Sequence, residues 1–168
     1  PRSQCSVRFL SLPSVRPDEI KNMLAFEVAN MFPLKPEELV WDFVVLDKLQ
    51  TGYSRVLLAA CQKDVVSGLL AKAAAQPGRR SQSTAYPEIG LSTLALFNQL
   101  SRKVEESAAL LCVHIEHEQA EIIGIRSRKL VFSRGFSLAG AGPDLVGREA
   151  AYSLKLMQEE GAGEKILV

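Results

Sequence analysis

"SVRFLSLPSVRPDEIKNMLAFEVANMFP" (residues 6–33) changes periodicity partway along, and that change decides how the chain is read. Residues 6–12 are short, apolar and rich in β-formers, and Pro13 stops them, so they predict a strand. Pro17 then suits a first helical turn, Asp18 and Glu19 favour the positive end of a helix, and Ile20, Met23, Leu24, Val28 and Met31 recur on one face. A helix over 17–31 follows, ended by Pro33 and Pro36. Further along, "LVWDFVVLD" (39–47) and "YSRVLLAAC" (53–61) read as two strands joined through Gly52 as a hairpin. A second helix, over 62–75, carries Val65, Val66, Leu69, Leu70 and Ala73 on one side.

The interval "QPGRRSQSTAYPE" (76–88) is the one polar, Pro/Gly/Ser-containing stretch long enough to separate two modules. After it the pattern predicts a helix near 91–104, a strand over 108–116, a hairpin pair over 119–126 and 129–137, a Gly-rich turn "AGAGP" (139–143), and a helix over 144–159. The closing "EKILV" reads as a strand with no turn after it, which predicts that the chain is cut from a longer protein.

With 168 residues, 47% of them hydrophobic, the chain has enough apolar mass for one ordinary domain or two small ones. Twenty Lys/Arg against nineteen Asp/Glu leave a formal charge of +1. Arg79-Arg80 and the Arg126/Arg128/Lys129 cluster are too short to follow a nucleic-acid backbone and read as solvated turns. Cys5, Cys61 and Cys112 are odd in number and lack CxxC spacing, which argues against a disulfide framework and a zinc site and for a reducing compartment. Apolar runs such as 56–61 and 108–113 fall far below the roughly 18 residues of a membrane helix. Pro1-Arg2-Ser3-Gln4 leads straight into the first strand with no leader pattern.

"HIEHE" (114–118) holds both histidines of the chain and looks at first like a metal site. In a strand, side chains alternate, so His114, Glu116 and Glu118 share one face and His117 points to the other, which keeps the two histidines from one ion. Cys112 falls mid-strand among apolar neighbours and reads as a buried, inert thiol. No GxSxG elbow is present, and the glycines of "GFSLAGAGPD" (135–144) serve a turn whether or not a phosphate binds there. Glu27, beside Phe26 on the first helix, is placed to pair with Arg8.

In order along the chain, "SVRFLSLP", "PDEIKNMLAFEVANMFPLKPEELVWDFVVL", "RVLLAACQKDVVSGLLAKAA" and "SRKLVFSRGFSL" resemble the PilM family of type IV pilus assembly proteins and the cytoplasmic part of the secretion protein GspL. The most specific points are Glu27 followed by Pro33, then Asp42, and "RSRKLVFSR" (126–134), where Arg128 stands at a position commonly held by a turn glycine. The resemblance implies an α/β fold: a fragment of an actin-like (ribonuclease H-like) fold carrying the small strand-helix-strand-strand insert also seen in FtsA. On that reading residues 1–80 are the insert and 81–168 are parts of the first and second actin-like subdomains. Where the family usually has Asp-Ile-Gly for nucleotide phosphate and magnesium, this chain has His114-Ile115-Glu116. That exchange removes a hard oxygen ligand and places a carboxylate where a polyphosphate would approach.

The resemblance therefore implies a cytoplasmic scaffold at the inner face of the bacterial inner membrane, with no catalytic residue and no metal. No cofactor is expected in this fragment, and ATP with magnesium only in a full-length protein. Its partner would be a PilN-like inner-membrane protein whose N-terminal cytoplasmic peptide enters a groove, with Arg8, Phe26, Glu27 and Asn30 as candidate contacts. Self-association is compatible with it; nucleic-acid binding and direct membrane insertion are not expected. The alternative is an actin-fold ATPase or kinase whose nucleotide loops lie outside the fragment. A metal-dependent hydrolase using His114, Glu116 and His117 ranks third.

Overall fold

The computed structural model describes residues 5–32, 34–74, 89–142 and 144–160; the 76–88 interval and the closing "EKILV" lie outside the described residues. The first half follows the order β1 (Cys5–Leu12), α1 (Pro17–Met31), β2 (Leu39–Lys48), β3 (Ser54–Gln62) and α2 (Lys63–Ala74). The second half runs α3 (Ser92–Leu100), β4 (Ala109–Glu116), β5 (Gln119–Arg126), β6 (Lys129–Ser137) and α4 (Leu145–Glu160). Two three-stranded sheets result, ordered β1-β3-β2 and β4-β5-β6 and antiparallel throughout.

α1 begins where its sequence signals place it. The Ser14 hydroxyl accepts the Arg16 amide at 3.1 Å and donates to Glu19 Oε2 at 2.6 Å, bracketing the first turn. At the other end Phe32 is extended, as the residue before a proline must be. Ile20, Leu24 and Val28 are buried against Leu12, Leu39, Val56 and Leu58, with Trp41 and Phe43 at the margin. Each of those aliphatic side chains contributes roughly 1.5–3 kcal/mol by leaving water.

β3 is the central strand and is covered on both faces: Val56 and Leu58 point to α1, whereas Leu57 points the opposite way. On that second face Val7 and Leu57 join Val104, Ile123, Ile125 and Leu130 in one cluster, so the two sheets share a core. Arg55 of β3 donates to the Val131 carbonyl of β6 and lies over the Phe9 ring at 5.6 Å. Lys129 meets Asp47 at 2.5 Å across the same junction.

β5 is the central strand of the second sheet, and residues 120–125 are all buried. One face takes α3 and the shared cluster; the other takes α4, where Ser153 and Met157 are buried. Gly124 is where this face closes most tightly. A Cβ there would stand 2.4 Å from Phe132 Cε1 and 3.0 Å from Met157 Sδ. The two hairpin turns of this sheet have two residues each. Ser127 and Arg128 have φ of 49° and 59°, the left-handed pair of a type I′ turn, so Arg128 does occupy a glycine-like backbone position. Its Nε donates to the Val104 carbonyl at 3.1 Å, which offsets part of the strain of about 1–2 kcal/mol.

Two expectations change in detail. The helix predicted near 91–104 is α-helical only to Leu100 and tightens to a 3-10 turn over Ser101–Lys103. Glu118 does not continue the strand face of His114 and Glu116: it forms the turn with His117, whose φ is 54°, because β4 pairs back onto β5 directly after Glu116.

Candidate functional site

A cavity of about 300 Å³ lies on the face of the first sheet that α1 does not cover. Its construction follows from strand alternation. Val40, Asp42 and Val44 of β2 stand opposite Cys61, Ala59 and Leu57 of β3, so all six project to one side. Val65, Val66 and Leu69 of α2 form a second wall, and the segment from Ile89 to Leu94 entering α3 forms a third. Val40, Val44 and Ile89 keep 42%, 36% and 48% of their surface in solvent, so the cavity opens outward. Asp42 is the one charged residue among the described lining residues. Its Oδ1 accepts the Phe43 amide at 2.8 Å, leaving Oδ2 for a ligand donor.

The third wall is fixed from behind by a carboxylate. Glu121 of β5 is buried at 3% exposure and accepts hydrogen bonds from three hydroxyls. Ser92 donates to Oε2 at 2.9 Å, Ser133 to Oε1 at 3.0 Å, and Thr93 to Oε1 by a short contact. Ser92 and Thr93 open α3, so the carboxylate also sits at the favourable end of that helix. Ser92 both lines the cavity and holds Glu121, which ties the cavity wall to the second sheet. The sequence did carry a signal for this latch: an acidic residue inside the otherwise apolar "AEIIGI" (120–125) needs internal partners.

Among the residues singled out from sequence, Arg8, Phe26, Glu27 and Asn30 belong to α1 and its neighbouring edge strand. Arg8 alternates with Leu10 and Leu12 on the α1 side of β1 and is exposed. Phe26 keeps 72% of its surface in solvent, and Asn30 Nδ2 donates to the Phe26 carbonyl at 3.2 Å. Among the described residues no ion pair joins Arg8 to Glu27. None of the four lines the cavity, which is on the opposite face of the sheet.

His114 is half-buried on β4 directly across from Glu121, Glu116 is exposed at the end of the strand, and His117 is exposed in the turn. Among the described residues no three His, Cys, Asp or Glu side chains are grouped to hold a metal ion. Cys112 is half-buried, and burial first, then the Glu121 carboxylate, push its thiol above the usual range. In the Gly-rich turn, the amides of Ala139, Ala141 and Leu145 are already donated to Ser137 Oγ, Leu138 O and Gly142 O. No described helix is long and apolar enough to cross a membrane.

No family model and no curated protein matches the chain. Among solved structures it is similar to a chain of the PilM-PilN type IV pilus biogenesis complex, with a TM-score of 0.64 and 20% sequence identity. The match covers 82% of this chain and 41% of that one, so the chain spans less than half the length of its structural relative. The mixed α/β architecture with its two antiparallel sheets is thus a PilM-like fold, shared with part of that complex.

Proposed function

We propose that the chain is part of a non-catalytic assembly protein of a type IV pilus or type II secretion platform, built on an actin-like fold, and that its cavity receives the N-terminal cytoplasmic peptide of a PilN-like membrane protein. The observation that carries this reading is the cavity itself: about 300 Å³, open, apolar on three sides and, among the described residues, charged at Asp42. Binding sites for short segments combine an apolar floor with a few polar anchors. Asp42 calls for a cation on the ligand, an arginine, a lysine or the terminal amine. The structural relative, a chain of a PilM-PilN complex, supports the choice of partner.

On this reading nucleotide chemistry is lost rather than displaced. His114 stands where a carboxylate ligand for magnesium is needed, and the Glu116 carboxylate repels a polyphosphate. In calorimetry Mg-ATP then gives no saturable heat at micromolar concentration; a saturable micromolar heat with Mg-ATP would restore the ATPase or kinase reading.

Peptide titration tests the seat. Val44→Arg should weaken capture of a synthetic PilN-like N-terminal peptide at least about tenfold, the loss of one well-packed apolar contact. Phe26→Ala combined with Arg8→Glu should leave it unchanged. The reverse result moves the seat to the α1 surface with Phe26, Glu27, Asn30 and Arg8.

A further inference from the structure

Cys5 and Cys61 are remote in sequence but are directly opposed partners in the β1–β3 ladder. Opposed residues of an antiparallel pair project to the same face with Cα atoms about 4.5 or 5.5 Å apart. That lies inside the window of about 4.4–6.8 Å found for bridged cysteines. The Cys5 sulfur lies over β3, donating to the Ala60 carbonyl at 3.4 Å, beside the peptide unit that leads into Cys61. Both residues are half-buried thiols, and both line the cavity. Cys112 belongs to β4, in the other sheet.

We propose that Cys5 and Cys61 are a redox-modifiable dithiol in the cavity wall, closing to a cross-strand disulfide with a small-molecule disulfide of the glutathione class as oxidant. One thiolate attacks the reagent's S–S bond, forms a mixed disulfide and releases one reagent thiolate. The second cysteine, as thiolate, attacks the protein sulfur of that mixed disulfide and releases the other. Two thiol protons and two electrons leave the protein, and the reagent is reduced to two thiols. The bridge fastens edge strand β1 to central strand β3 and requires their register, since a slip by one residue would turn one sulfur to the opposite face. Its formation does not depend on which ligand the cavity takes.

The test is equilibration of the folded chain with oxidised and reduced glutathione, followed by peptide mapping and thermal melting. The expected result is a cross-linked peptide joining Cys5 to Cys61 and a rise in Tm of about 5–10 °C, as for a long loop closed by one disulfide. Dithiothreitol should reverse the rise, Cys112→Ser should retain it, and Cys61→Ser should lose it. Cys5→Ser, on the edge strand, replaces Cys61→Ser if the latter fails to fold. Mixed glutathione adducts alone, a bridge through Cys112, or an unchanged Tm gain in Cys61→Ser would each overturn the assignment. Peptide titration of the reduced protein is read separately, so a failed bridge and a failed ligand seat are told apart.

Discussion

Both sheets have three antiparallel strands with the central one buried from two sides, yet among the described residues part of one face of the first sheet, beside its packing against the second sheet, borders an open cavity, whereas the second sheet takes α3 on one face and α4 on the other. In the second sheet Gly124 admits the Phe132 ring and Met157 so closely that not even a methyl group fits, and Glu121 fastens the start of α3 on the opposite side. In the first sheet α1 seals one face with Ile20, Leu24 and Val28, while among the described residues β2, α2 and the segment from Ile89 to Leu94 enclose a cavity on the other. Protein interiors are ordinarily packed to crystal-like density, so an open apolar face beside a closed one marks where the molecule has room for something else.

The contrast is broken most severely at Gly124. Valine there drives its branched carbons into Phe132 and into Met157 of α4, and overpacking of this kind costs about 3 kcal/mol. Urea unfolding should show the midpoint displaced accordingly, with near-normal secondary structure before the transition. A variant as stable as the parent would mean that α4 does not seat on β5 as described.

Next in size is the latch. Glu121→Gln keeps the shape of the side chain but replaces charged acceptors by a neutral amide, one end of which turns donors toward hydroxyl donors. Hydrogen bonds to a charged group are worth about 1.5–3 kcal/mol each, and the hydroxyls can re-aim in part, so a net loss of about 2 kcal/mol is expected. Because Ser92 serves both the latch and the cavity wall, hydrogen exchange should accelerate over the first turn of α3 before it does in β4 or β6. Uniform acceleration across the second sheet would make Glu121 a general core residue rather than the tie between the two regions.

How much of this could be read beforehand divides along the same line. Local signals sufficed for the elements: Pro17 and the Ile20/Leu24/Val28 spacing give α1 its observed bounds, and the paired apolar runs around Ser127-Arg128 give the β5–β6 hairpin. Contacts between distant segments were less accessible. Nothing near Cys5 announces Cys61, and nothing near Asp42 announces Ile89, because each pairing is created by closing the sheet and covering it. Glu121 and Gly124 are intermediate cases. A carboxylate and a glycine inside a buried strand both demand a reason, a set of donors and a close neighbour respectively, but the sequence does not name Thr93 or Phe132 as that reason. Candidate site residues divide the same way. An exposed Phe26 beside Glu27 and Arg8 is recognisable from helix periodicity, whereas a cavity exists only between elements.

The smallest expected effect on stability is the sharpest check of the open face. Ala59, half-buried on β3, points into the cavity opposite Asp42, with Leu57 and Cys61 on the same side. Ala59→Val adds two methyl groups, as large an intrusion as many that fail in a core, but here they enter space already present. Valine also favours a strand, so the change should alter stability by no more than about 0.5 kcal/mol, and toward stabilisation if anything. Peptide capture should nevertheless fall, because the added carbons occupy the floor on which the ligand side chain would rest. Denaturant midpoints and peptide titration on the same preparation separate the two quantities. A loss of stability approaching that of Gly124→Val would show the face to be as tightly packed as the second sheet. Unchanged stability with unchanged capture would leave the space real and the ligand elsewhere, and only reduced capture at constant stability fits a cavity kept open for a partner.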